Sequence, residues 1–147
     1  MRIKPQKRSF WLTTTLLFIA LSSFKMVDQH KHEGVWKGVD KGEVGYVGLL
    51  PSGHAYFVIE GDTMGGKSFM VQGVEASMKY TVDYSTSPYN VDFRLYLAES
   101  DAPMVTMPGI FKFDANQNMV LCMSFKPGDR PTSFVEDQTI VLKKVSN

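Results

Sequence analysis

The chain has 147 residues, 44% of them hydrophobic and 21% charged, with 16 Lys plus Arg against 15 Asp plus Glu. This is the make-up of one ordinary globular domain. It excludes intrinsic disorder, and 12 Gly with a single Cys exclude a collagen-like repeat and a disulfide framework.

Residues 1–24 stand apart from the rest. Arg2, Lys4, Lys7 and Arg8 make a basic start, and Phe10 to Phe24 then runs without a charge. This reads as a secretory signal peptide, with Ala20 and Ser22 as small residues before a cut and a mature start between about Leu21 and Met26. The run is shorter than the ~20 apolar residues of a membrane-spanning helix. A permanent anchor is the competing reading, and membrane contact is expected only through an uncleaved leader. The only Cys is Cys122, so no lipid-anchoring cysteine follows the leader. Periplasm, cell envelope or the extracellular space is the expected location.

Losing the leader removes four basic groups and no acidic ones, leaving 12 against 15. Those basic groups are scattered singly apart from Lys143-Lys144, whereas nucleic-acid binders cluster them against phosphates. No nucleic acid is expected as a partner. Residues 25–33 read as an N-terminal tail, and residues 34–147 as the domain.

From residue 34 onward nearly every segment alternates with period 2 between turn residues, and no stretch of ten or more carries a helical period. The pattern predicts strands over 34–39, 43–50, 54–60, 67–73, 77–84, 91–98, 109–114, 118–125 and 138–145. Asp40-Lys41-Gly42, Pro51-Ser52-Gly53 and Ser87-Pro88-Tyr89-Asn90 supply short turns. Met78, Tyr80, Val82 and Tyr84 share one face, as do Val91, Phe93, Leu95 and Leu97, and Met119, Leu121, Met123 and Phe125. One apolar face per strand predicts an all-β, antiparallel up-and-down barrel of eight to nine strands, with a two-sheet sandwich as the alternative.

Between two of these strands, residues 61–68 read Gly-Asp-Thr-Met-Gly-Gly-Lys-Ser, a letter-for-letter match to the phosphate-binding pattern G-x-x-x-x-G-K-[ST]. The phosphate cradle needs a helix N-terminus behind it, and Ser68 to Val74 is a poor helix start. A Gly-rich hairpin loop is expected, and no nucleotide partner.

At the head of the first strand, Gly34-Val35-Trp36 is similar to the Gly-x-Trp signature of lipocalins and related calycin barrels. Gly109-Ile110-Phe111-Lys112-Phe113, Val120-Leu121-Cys122, Arg130-Pro131-Thr132-Ser133-Phe134 and Val141-Leu142-Lys143-Lys144 resemble a family of small exported lipocalin-like domains of planctomycete-type bacteria, over roughly residues 33–145. The resemblance implies that Trp36 plugs a closed barrel end, with Gly34 leaving room beside it. It implies too that Lys143 or Lys144 packs over the indole where lipocalins place an Arg. Arg130, Pro131 and Phe134 are the polar feature it singles out, read here as a loop that folds back to anchor Phe134. The family brings no chemistry with it.

No residues are arranged for catalysis. His54 lies beside a turn, Cys122 has apolar neighbours, and Glu60, Asp62, Asp83 and Asp92 show no paired spacing. Neither an enzyme nor a cofactor is expected. His30, His32 and Glu33 could chelate a metal and Met64, Met70, Met104, Met107, Met119 and Met123 could offer thioethers, but the first set lies in the tail and Met is a core filler. No metal is expected. Two functions remain. One is a binding barrel for a small apolar or amphipathic molecule, lined by Met78, Tyr80, Tyr84, Phe93, Leu95, Phe111, Met119 and Met123. The other is a solid barrel working through its loops, Gly61–Gly66 and Glu99–Pro108 being the longest. Gly45, Gly48 and Gly73 would open room or bend strands.

Overall fold

The computed structural model describes residues 27–40, 42–124, 126 and 128–147. The leader reading, over residues 1–24, lies outside the described residues. Ten strands follow in chain order: β1 Gly34–Asp40, β2 Glu43–Leu49, β3 Ala55–Ile59, β4 Asp62–Gly65 and β5 Phe69–Val71, then β6 Val74–Asp83, β7 Tyr89–Leu97, β8 Val105–Phe113, β9 Met119–Met123 and β10 Thr139–Ser146. They form one antiparallel sheet in the order β4-β3-β2-β1-β10-β9-β8-β7-β6-β5. Each strand therefore pairs with its chain neighbours, except that β4 and β5 form the two edges, and β10 returns to pair with β1. The result is an up-and-down sheet that curls almost into a closed barrel.

The remaining seam lies between β4 and β5. It is bridged by main-chain hydrogen bonds from Met78 N–H to Gly66 C=O (2.9 Å) and from Tyr80 N–H to Gly53 C=O (2.9 Å), so the β3–β4 arm leans onto β6. Gly65 is the glycine this closure needs. Its φ is +108°, and a Cβ there would lie 2.6 Å from Ala55 O.

Inside, Trp36, Leu49, Met78, Val91, Phe93, Phe111, Met119 and Leu142 are fully buried, from seven strands. The alternation that predicts an inner face for β6 and β7 is the alternation observed. In β9 Met119, Leu121 and Met123 are buried as expected, Cys122 on the other face is buried as well, and Phe125 lies outside the described residues.

Three local expectations are corrected. Residues 61–66 are no loop: Asp62–Gly65 is β4, paired with β3 from Tyr56↔Gly65 to Ile59↔Asp62. β8 starts at Val105 and runs through Pro108, so the loop foreseen over 99–108 shrinks. Pro108 is tolerated because β9 pairs only with residues 109–113, leaving that part of β8 with one strand neighbour. Residues 28–33, read as a tail, form a turn docked on one barrel end, held by Glu33 N–H to His30 C=O at 3.0 Å.

Outside the barrel, residues 128–138 of the connection from β9 to β10 strap the face of β7, β8 and β9. Arg130 donates to the carbonyls of Gly109 (2.8 Å) and Val91 (3.3 Å) and pairs with Asp92 (2.6 Å). Asp92 is clamped on its other oxygen by Arg94 at 2.9 Å. Beneath the strap, Cys122 and Ile110, cross-strand partners on the outer face, are buried. The Cys122 thiol donates to Ser133 C=O at 3.6 Å.

Candidate functional site

The two barrel ends differ. One is plugged by Trp36, buried to 1% exposure, whose indole N–H donates to His32 C=O at 2.8 Å. Around it stand Phe113 (6.0 Å between ring centroids), Phe111, Tyr84 and Tyr89 in edge-to-face and tilted contacts. Lys144 lies 5.5 Å over the indole. Of the two lysines expected there, Lys144 covers the ring and Lys143 does not: Lys143 faces Lys37 across the β1–β10 ladder and is exposed. A β-bulge between Val35 and Trp36 moves the register so that Trp36 aligns with Lys144.

His32 locks the docked turn into this end. Its Nδ1 is 2.7 Å from Tyr84 Oη and its Nε2 is 3.2 Å from Tyr80 Oη, while Tyr80 Oη donates to Leu50 C=O at 2.9 Å. With its proton spent on Leu50, Tyr80 accepts from Nε2–H, and Nδ1 accepts from Tyr84. The network suits a neutral imidazole, and burial pushes the His32 pKa below 6.5. Burial likewise pushes both phenols up to about 12. From sequence His32 stood out only as a possible metal ligand in a tail, and its role in docking was missed because a His on an apparent tail gives no sign of it.

The opposite end is open. A pocket of about 440 Å³ enters there, walled by Val47, Phe57, Leu121, Met123, Ile140 and Leu142 and reaching the tips of β1, β2 and β3 and the turn before β10. Space arises because the inward alternation of β2 places Gly45 one level above Val47. A Cβ at Gly45 would meet only Val58 O, at 3.1 Å, within 4 Å. Gly38, its partner across the ladder, leaves no such room, since Ile140 and Leu142 already fill it.

Of the eight residues proposed from sequence as pocket walls, Met123 alone lines this pocket. Met78, Phe93, Leu95, Phe111 and Met119 are packed core, and Tyr80 and Tyr84 hold His32 at the plugged end. The reason is geometric: facing inward does not say at which level of the barrel the space stays open. The signal available in sequence was Gly45, a missing side chain at an inward position.

Gly34, at φ +125°, sits against the Lys144 stem, where a Cβ would approach Cε to 2.7 Å. Arg130 and Phe134 belong to the outer strap with Pro131 between them, and the Lys112 ammonium lies 4.7 Å from the Phe134 ring centre. In the 61–68 segment, Gly61 is a turn, Asp62–Gly65 is antiparallel strand, Lys67 is exposed and Ser68 donates to Glu75 at 2.7 Å. No helix follows, so the backbone does not form a phosphate cradle. Gly48 gives its space to the Tyr56 ring, and Gly73 is a turn glycine at φ +81°. His54 bonds Ser52 Oγ through Nδ1 at 3.1 Å on the surface. Among the described residues no three His, Cys, Asp or Glu side chains gather in a metal-binding group.

Fold and site together define an antiparallel β-barrel with one plugged and one open end, holding an apolar pocket in the open half. No protein-family model, no curated protein and no solved structure matches the chain.

Proposed function

We propose that this protein is an exported, lipocalin-like binding barrel that holds a small apolar or amphipathic molecule in its open end. The observation that carries the reading is the apolar pocket of about 440 Å³ above Val47, Phe57 and Leu142. Its size falls within the ~300–1,000 Å³ of small-molecule sites, and one end being sealed by packed aromatics gives a single entry. The basic, then uncharged residues 1–24 support export. The Gly-x-Trp start, with Trp36 at the plugged end, supports the lipocalin-like reading.

Titration with the neutral dye Nile red tests it. Wild type is expected to give saturable one-to-one binding with blue-shifted emission, and Gly45→Leu, which sends a side chain into the pocket, to weaken it at least about tenfold. Absence of saturable binding, or binding indifferent to Gly45→Leu in a variant with wild-type circular dichroism, would replace this reading with that of a barrel acting through its loops.

A further inference from the structure

The rim of the pocket has one sign of charge. Asp40, Glu43, Glu60 and Asp137 border it, from the β1–β2 hairpin, the β3–β4 turn and the turn before β10. No described Lys, Arg or His lines it. None of the four is ion-paired among the described residues.

Asp40 and Glu43 are direct cross-strand partners, a placement that costs stability for like charges. A rim serving only solubility has no need of it. The carboxylates do not form a chelating group among the described residues, which disfavours a bare metal ion. They form a negative collar around an apolar hole, and low-dielectric walls strengthen such a field.

We propose that the pocket takes apolar molecules bearing a positively charged amine, with the hydrocarbon or aromatic body against Val47, Phe57 and Leu142 and the ammonium at the collar. The proposal rests on the binding reading above and goes beyond it by naming the ligand class. A collar of this sign disfavours fatty acids and other anionic amphiphiles, which would bring a carboxylate against carboxylates.

Displacement of Nile red by decylammonium, decanol and decanoate at pH 7 and low salt tests it, on the full chain and on the variant Asp40→Asn/Glu43→Gln/Glu60→Gln/Asp137→Asn. Decylammonium should bind about tenfold more tightly than decanol and decanoate more weakly still, and the ammonium preference should shrink as salt is raised. In the amide variant the preference should vanish while Nile red binds as before. Thermal stability should hold or rise, because the Asp40–Glu43 repulsion is gone; a purely structural role for the carboxylates would lower it. Equal affinity for the three probes, tightest binding of decanoate, or a preference that survives the amide variant would overturn the proposal while leaving a binding pocket in place. Failure of Nile red and all three probes alike would overturn the pocket reading beneath it.

Discussion

His32 shows how one side chain ties a chain end to the core. It is 7% exposed and has a phenol on each ring nitrogen, so the turn at residues 28–33 is held down through it. Because burial lowers its pKa in the folded state, the unfolded chain takes up this proton first as pH falls. The stability it contributes is complete above about pH 6.5 and is lost as pH drops below that value, until the folded ring itself protonates. His30, exposed and paired with Glu33 at 2.7 Å, is shifted the other way and opposes the loss. Urea midpoints measured from about pH 7 to pH 5.5 should therefore fall in wild type, fall more steeply in His30→Gln, and flatten in His32→Gln. A wild-type slope unchanged by His32→Gln would rule out this latch.

Among the elements, the strap over residues 128–138 is held by one side chain. Its described residues form no strand and no helix beyond the 3-10 turn Glu136–Gln138, yet it covers Cys122 and Ile110 because Arg130 satisfies two strand carbonyls and a carboxylate at once. Arg130→Met removes all three bonds, an effect of about 1–3 kcal/mol. The thiol of Cys122 should then react with an aromatic disulfide reagent several-fold faster under native conditions, and Arg130→Lys should restore only part of the protection because an ammonium lacks the planar fork. Equal labelling rates in wild type and Arg130→Met would show that the strap is held by other contacts. The pairing of Arg130 with Asp92 could not be read from sequence: the two are 38 positions apart, and only the β7–β8 register brings Val91, Asp92 and Gly109 to one spot.

For the molecule as a whole, the division into a plugged and an open end makes stability and binding separable. Trp36→Ala should lower global stability by about 3–5 kcal/mol, read as a lower urea midpoint by circular dichroism. Nile red affinity, measured well below that midpoint, should change far less than in Gly45→Leu, because the indole lies on the plugged side of the pocket floor and is not among its walls. An unchanged midpoint would show that the indole is not part of the packed core.

The sequence by itself determined which side chains face inward, the antiparallel order and most strand positions, since alternation and turn residues are local and a strand must bury one face. It could not show β4, whose Asp-Thr-Met-Gly lacks an apolar face and becomes a strand only by pairing with β3. Nor could it show that 28–33 docks, that Lys144 and not Lys143 covers Trp36, or where the interior stays empty. Those outcomes depend on strands distant in sequence meeting at one level: Ile140 and Leu142 of β10 fill the space beside Gly38, while nothing from β3 beyond a backbone oxygen reaches the space beside Gly45. Local pattern assigns a side chain to the inside, but a cavity is a property of all the walls at once, and only the tertiary structure brings them together.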